Sequence, residues 1–332
     1  MAEMAEQSTV NYPLRLKPKV KEVVWGGRWL ADELHRPSQP DATLGESWEA
    51  YSASEITNGP WAGHTLGDLF TAYGAKLMGG KAAACPKFPL LVKFIDAHEN
   101  LSIQVHPDDA LAQKLEDYPY GKTEFWYVIA AIPGSEIIYG LNDAVENEEQ
   151  LRRAMQNGEL LKYCARVPVM AGDVVYIPAR TVHALTEGVI VYELQQDCDI
   201  TYRLYDWGRT GRELHIEKGL QAIDLSQINL KTTHPGLEES GTAGLSTVEL
   251  IASEYFRSEL IKVEGECSFM VNANSFALLS VLEGGGHIMS VVEGDFTSEP
   301  IAKGDTIFLP VALAYKIASE NSSITLIRSG VA

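Results

Sequence analysis

Two short stretches of the chain carry side chains that bind divalent metals: Leu101-Ser-Ile-Gln104-Val-His106-Pro-Asp-Asp and Gly121-Lys-Thr-Glu124-Phe-Trp. A third, Tyr176-Ile-Pro-Ala-Arg-Thr-Val-His183, adds another imidazole. Residues two apart on a β-strand point to the same face, so Gln104 and His106 can aim at one point. Glu124 opens the β-like run Phe125-Trp-Tyr-Val-Ile129 and can enter from a neighbouring strand, and His183 closes the set from a third run. Two imidazoles, one carboxylate and one neutral amide suit a zinc-like ion that keeps a position open for water or substrate. With a single carboxylate among the ligands, such an ion retains positive charge and acts as a Lewis acid.

The elements that must position these residues read as mainly β. Residues 12–60 are rich in Pro, Gly and Trp and read as loops with short strands. Leu66, Leu69, Phe70 and Tyr73 recur at helical spacing within 64–82, with Gly74 and Gly79-Gly80 as stops. Residues 88–106 read as strand and turn and deliver Lys93 with the Gln104/His106 pair. A short helix follows from Asp108, its acidic start favoured by the helix dipole. A helical insert at about 143–166 contains Asn147-Glu-Glu-Gln-Leu151-Arg-Arg-Ala-Met155, stopped by Gly158, and a second short helix over Glu159 to Ala165. Leu151, Ala154 and Met155 share one face, so the insert is expected to cover a sheet.

A faint internal repeat links the two ends of the chain. Trp126-Tyr-Val-Ile-Ala followed by Gly172-Asp-Val-Val-Tyr-Ile-Pro resembles Leu279-Ser-Val-Leu-Glu followed by Gly304-Asp-Thr-Ile-Phe-Leu-Pro. This predicts two related β-sandwiches or barrels. Glu124 then aligns with Ala277 and His183 with Tyr315, so only the first unit is expected to hold metal.

Composition sets the outer bounds. A length of 332 residues with 45% hydrophobic content supports a large core and two domains. A net charge of −18 disfavours nucleic acid and anionic membrane as partners. The four cysteines, Cys85, Cys164, Cys198 and Cys267, show no paired spacing and suit a reducing compartment. The acidic N-terminal residues 1–7 lack the apolar core of a signal peptide, and no apolar stretch has membrane-spanning length. A cytoplasmic protein is expected.

Taken in order, Val24-Trp25-Gly-Gly, Gly45-Glu-Ser-Trp-Glu49, Phe88-Pro-Leu-Leu-Val-Lys93, the Gln104/His106 segment, Gly121-Lys-Thr-Glu-Phe-Trp-Tyr, Pro178-Ala-Arg-Thr-Val-His and Asp199-Ile-Thr-Tyr-Arg203-Leu-Tyr-Asp-Trp form a specific pattern. Over nearly its whole length the chain resembles type I mannose-6-phosphate isomerases of the short bacterial class, members of the cupin group. The resemblance implies two cupin-like jelly-roll units: a catalytic domain over 1–235 containing the insert, and a metal-free C-terminal domain over 236–332. It implies one zinc per chain on Gln104, His106, Glu124 and His183, and a small phosphorylated sugar as partner. The substrate site would use Trp25, Lys93, Ser102, Lys122 and Arg203, with Asp199 and Arg209 matching less closely.

The implied reaction moves a proton between C2 and C1 of the sugar through a cis-enediol. Arg203 suits the phosphate, because its planar fork matches phosphate oxygens. Lys122, two residues before Glu124 and on the same face if extended, suits a proton carrier or a phosphate contact. Lys93 and Asp199 are candidates for opening the sugar ring, whereas Trp25 reads as pocket wall. The C1/C2 base is not assigned, and the chain is expected to be a monomer or homodimer. A non-haem iron oxygenase also uses two His and one carboxylate. Gln104 and the cationic wall of Lys93, Lys122 and Arg203 weigh against that reading. The intact ligand set weighs against a sugar-phosphate-binding protein without catalysis.

Overall fold

Alternating strand residues build four antiparallel sheets in the computed structural model, which describes residues 10–228, 230–292, 296 and 298–332. The N-terminal residues 1–7, read above as no signal peptide, lie outside the described residues. In chain order the first strands are β1 (Leu14–Arg15), β2 (Lys19–Gly27), β3 (Leu44–Ala50), β4 (Leu90–Ala97), β5 (Ile103–Val105) and β6 (Glu124–Ala131). Next come β7 (Glu136–Leu141), β8 (Cys164–Pro168), β9 (Val174–Ile177), β10 (His183–Ala184), β11 (Val189–Gln196) and β12 (Tyr202–Tyr205). The remaining strands are β13 (Glu238–Glu239), β14 (Leu245–Ala252), β15 (Phe256–Val263), β16 (Glu266–Met270) and β17 (Ala277–Glu283). They continue with β18 (Gly285–Ser290), β19 (Ser298–Ala302), β20 (Thr306–Leu309), β21 (Ala314–Ser319) and β22 (Ile324–Val331).

The expected repeat is visible in the topology. A six-stranded sheet, β2-β3-β4-β11-β6-β9, packs on a five-stranded sheet, β12-β5-β10-β7-β8. The second half orders its strands β13-β14-β15-β22-β17-β20, with β1 added at the edge, against β16-β21-β18-β19. Both halves are thus sandwiches of matching strand order, in keeping with a cupin-like fold. Trp25, Ile95, Trp126, Tyr139 and Leu185 help fill the first sandwich. The second is filled by aliphatic residues such as Ile261, Leu279, Ile307 and Leu326.

The outward faces of the two large sheets meet in a layer of aromatic residues. Phe94, Phe125 and Tyr192 from one side join Phe256, Phe276 and Phe308 from the other in one buried cluster. The Phe125 and Phe256 rings lie 5.9 Å apart, and Tyr192 Oη is 2.9 Å from Ser329 Oγ. Full burial of each such ring is worth roughly 1.5–3 kcal/mol, which binds the sandwiches firmly together. Arg36 adds a polar tie, donating to Glu49 Oε2 at 2.9 Å and to the Gly304 carbonyl at 2.5 Å.

Among the described residues seven short α-helices accompany the sheets: α1 (Trp29–Asp32), α2 (Leu66–Tyr73), α3 (Ala75–Met78), α4 (Gly80–Ala83), α5 (Asp109–Glu116), α6 (Glu148–Gln156) and α7 (Ile216–Ala222). Residues 64–82 form three pieces, because Gly74 and Gly79 take φ of +47° and +86° and stop the helix there. The insert covers the five-stranded sheet as expected: Leu151 and Met155 of α6 pack with Leu220 and Ala222 of α7 on Ile103, Val105 and Leu204. Its second expected helix is only a 3₁₀ turn, Leu160–Tyr163, after which Cys164 enters β8 and pairs with Leu141. Strand pairing overrides the local helical preference there.

Candidate metal centre

The five-stranded sheet sets the ligand row. Arg203 of β12 stands opposite Gln104 of β5, Gln104 opposite His183 of β10, and His183 opposite Tyr139 of β7. Residues directly opposite share a face, so this row points into the sandwich, while Ile103, Val105, Ala184 and Leu204 point out to the helices. Glu124 comes from the facing sheet, at the start of β6 opposite Gln195 and Ile177.

Gly121 explains how the Glu124 segment comes so close to His106. A Cβ at Gly121 would stand 2.4 Å from the Asp108 carbonyl carbon and 2.5 Å from the Pro107 oxygen. Only glycine allows that approach. It lets Gly121 N donate to Asp109 Oδ1 (2.7 Å) and Lys122 N to Pro107 O (3.0 Å). Gln196 completes the clamp, accepting from Thr123 N and donating to Asp109 Oδ1, each at 2.9 Å. Lys122 therefore sits just ahead of β6 and not on the strand, yet faces the same side as Glu124, with Nζ 2.9 Å from Oε2.

His106, Glu124 and His183 are buried, and their ligand atoms all lie within 4.8 Å of one another. His183 Nε2 is 3.2 Å from Glu124 Oε1, and His106 Nε2 is 3.7 Å from Glu124 Oε2. Each imidazole uses Nδ1 on a backbone carbonyl, His106 on Ile200 (2.9 Å) and His183 on Thr181 (2.8 Å). Those bonds fix the ring and turn Nε2 toward Glu124 as the candidate ligand atom. Gln104 Nε2 lies 3.2 Å from His183 Nε2. A half-turn of the amide exchanges its nitrogen for the oxygen that a metal would take.

The electrostatics suit a cation. Burial, and then the neighbouring Lys122 ammonium, hold His106 well below the usual histidine range, so the ring is neutral. Burial alone would raise the Glu124 carboxyl, but Lys122, His106 and the hydrogen bond with His183 hold it well below the usual carboxylate range. Glu124 is thus ionised and fully buried, with the Lys122 ammonium 2.9 Å from Oε2 and His183 Nε2 3.2 Å from Oε1. A buried carboxylate requires a cation beside it, the place that Lys122 holds here and that a metal ion could take. Two neutral imidazoles, this carboxylate and an amide therefore fit a divalent ion of the zinc type.

A second charged group lies deeper in the same sandwich. Lys93 on β4 stands opposite Glu193 on β11, with Nζ 2.9 Å from Oε1, and both are buried. Glu193 Oε2 accepts from Trp126 Nε1 at 2.8 Å, and the Trp126 ring meets His183 edge-on at 5.6 Å. Burial pulls the Lys93 ammonium down, but Glu193, Glu46 and Asp199 outweigh it and hold it well above the usual lysine range. Lys93 is a fixed cation. Glu46 accepts from Trp48 Nε1 at 2.6 Å, and Lys21 lies 3.6 Å from Glu46 and 3.4 Å from Asp199.

The other expected site residues are spread around this group. Trp25 and Ser102 are buried; Trp25 lies against Gly45, where a Cβ would come within 2.5 Å of the ring. Asp199 is exposed and reaches the site's edge through Lys21. Arg203 donates Nη1 to the Glu213 carbonyl at 2.9 Å, while its buried Nε has no hydrogen-bond partner among the described residues. It is not the partner of Asp206, which takes Arg209 at 2.8 Å and Arg212 at 3.2 Å instead. Arg209 also donates to the Asn100 carbonyl at 2.8 Å, so its guanidinium is largely committed. The sequence reading missed Glu193. The available signal was a lone carboxylate inside the apolar run Val189-Ile-Val-Tyr-Glu193-Leu, at even spacing from inward-facing Val191.

The chain is similar in sequence and in fold to known proteins. Residues 14–124 match the family described as phosphomannose isomerase type I, catalytic domain. The mannose-6-phosphate isomerase ManA of Bacillus subtilis is 37% identical over 313 residues, covering 91% of this chain and 94% of that protein. A mannose-6-phosphate isomerase of Streptococcus mutans is 36% identical over 308 residues, covering 90% and 92%. The crystal structure of the Bacillus subtilis mannose 6-phosphate isomerase superposes with a TM-score of 0.82 at 32% identity, over 96% of this chain and 99% of that one. The chain belongs to the type I phosphomannose isomerase family.

Proposed function

We propose that the chain interconverts mannose 6-phosphate and fructose 6-phosphate, using one zinc ion per chain held by Gln104, His106, Glu124 and His183. The observation that carries this reading is the buried Glu124 carboxylate facing two imidazole Nε2 atoms, with Lys122 paired to it, Lys93 paired to Glu193 in the same sandwich, and Arg203 on the same sheet row as His183 and Gln104. When bound, zinc would supply Lewis acidity that stabilises negative charge developing on the sugar oxygens at C1 and C2.

The chain's own groups supply the rest. Arg203, with Nε unpartnered, binds the phosphate, and Arg209 supports its charge from the Asp206 cluster. Lys122, which lies beside Glu124, would take the proton from C2 as the free amine and return it to C1 from the resulting ammonium along the cis-enediol route. Lys93, held charged, donates to a sugar oxygen during ring opening, and Asp199 takes or returns the ring hydroxyl proton at the outer edge. Trp25 and Ser102 wall the pocket. Residues 1–235 form the catalytic domain and 236–332 a structural one, in a cytoplasmic monomer or homodimer. No helix among the described residues is long and apolar enough to cross a membrane.

A coupled assay for fructose 6-phosphate tests the reading. Turnover of mannose 6-phosphate, with free mannose much poorer, is the expected result. No turnover of the phosphorylated sugar by the metal-loaded protein would refute it.

A further inference from the structure

The second sandwich keeps a cavity at the place of the first one's site and changes its lining. Register fixes the comparison: Glu124 pairs with Ile177, and Ala277 pairs with Leu309. His183 pairs with Gln104, and Tyr315 with Phe269, so His106, two residues beyond Gln104, maps onto Val271. Ala277, Tyr315, Phe269 and Val271 offer no metal-ligand set. The neighbouring rung is retained with its signs reversed. Lys93 faces Glu193 in the first sandwich, and Glu259 faces Arg328 in the second, with Oε1 and Nε 2.7 Å apart.

A cavity of 790 Å³ opens over this rung, walled by Glu249, Arg257, Glu259, Asn272 and Arg328, with Lys81 of α4 at its rim. Glu249 and Glu259 are cross-strand partners, and Arg257 Nη2 lies 2.9 Å from Glu249 Oε2. Each arginine has further N–H donors and each carboxylate further lone pairs, an alternation that matches vicinal hydroxyls. Both carboxylates already hold an arginine, and Lys81 makes no ion pair among the described residues. The wall therefore carries a surplus cation, although the whole chain has a net charge of −18.

We propose that this cavity is a second, metal-independent binding site for a phosphorylated sugar. The sugar hydroxyls lie on the Glu249–Arg257 and Glu259–Arg328 pairs, and the phosphate lies at Lys81. The proposal does not depend on the catalytic reading of the first sandwich.

The test uses sorbitol 6-phosphate, which has no carbonyl to isomerise, and the full-length zinc-loaded protein labelled at its methionine methyls. Met270 lines the cavity and is 68% exposed, so its methyl resonance reports locally. A saturable Met270 shift is expected, weakened about tenfold in Lys81→Ala and in Arg257→Ala, each the loss of one charge-assisted contact. Both substitutions are at exposed side chains and leave mannose 6-phosphate turnover intact. A Met270 resonance unmoved by about 10 mM probe, the weakest range of specific binding, would overturn the proposal. So would an unchanged affinity in both variants, or an equal shift by inorganic phosphate alone. Turnover measured on the same sample reports on the first site separately, so failure of one reading is told from failure of the other.

Discussion

Lys122 and Glu124 form a buried ion pair inside the candidate metal-ligand set itself, with Nζ 2.9 Å from Oε2 and also 3.1 Å from His106 Nε2. A zinc ion needs about 2.0–2.2 Å to each of those ligand atoms, so the ammonium and the metal compete for one space. Replacing Lys122 by Met removes the competing charge. Zinc affinity, measured by competition with a chromophoric chelator, should rise by about tenfold or more, on the scale of one nearby unit charge at intermediate dielectric. Weaker zinc binding in Lys122→Met would mean that Lys122 supports the site instead. The same variant should lose kcat and one limb of the pH profile if Lys122 moves the proton, whereas a raised KM alone marks a binding contact.

Lys93 and Glu193 depend on each other. Lys93→Met leaves a buried carboxylate, and Glu193→Leu a buried ammonium, and each is expected to destabilise the fold by roughly 3–5 kcal/mol. The double replacement should recover a good part of that loss, because no uncompensated charge remains. Urea unfolding of the four proteins checks it, and additive losses in the double variant would show that the pair is not a unit.

The candidate metal centre could be proposed from the sequence because its residues lie in short local patterns. Gln104 and His106 lie two apart, Gln104 in β5 and His106 just past its end, and Glu124 and His183 begin or end apolar runs. Glu193 was not legible, since its meaning lies in the cross-sheet pairing with Lys93 and in the Trp126 N–H, neither of which is a local signal. The loop placement of Lys122 was missed for a related reason: Gly121 packing against Pro107 and Asp108 decides it. The repeat was readable from its Gly-Asp and Pro turns, and the matching strand orders account for it. The aromatic layer joining the sandwiches was hidden, because outward-facing Phe94, Phe125 and Tyr192 look like any strand residues until their partners are known.

Arg203→Ala should lower kcat/KM on mannose 6-phosphate by an amount equivalent to roughly 2–5 kcal/mol if it pairs the phosphate in a closed site. Zinc content should not change, since Arg203 touches no ligand nitrogen or oxygen that the metal would use. A matching loss of zinc would show that Arg203 instead holds Gln104 in place, its neighbour across the strand pair.

Glu49 gives the fold a pH dependence of known sign. Burial pushes its carboxyl up to about 7, against the lowering effects of Arg36 and Ser47, from an ordinary value of 4.5. Between those values the folded chain holds a proton that the unfolded chain has released, so this contribution is fully present below 4.5 and is lost as pH rises through 7. The stability advantage of the wild type over Glu49→Gln should therefore shrink between pH 5 and 7.5, by on the order of 1–3 kcal/mol. An advantage that grows with pH would show that the Arg36 pair, not burial, governs Glu49.

Metal content and turnover, followed together on one sample, test the central claim most directly. Elemental analysis of the purified protein should find one zinc per chain, with isomerisation of mannose 6-phosphate lost on chelation and restored by zinc. His183→Ala should lose both metal and turnover while keeping the fold. Full isomerase activity in protein shown to be metal-free, or in His183→Ala without zinc, would contradict the account.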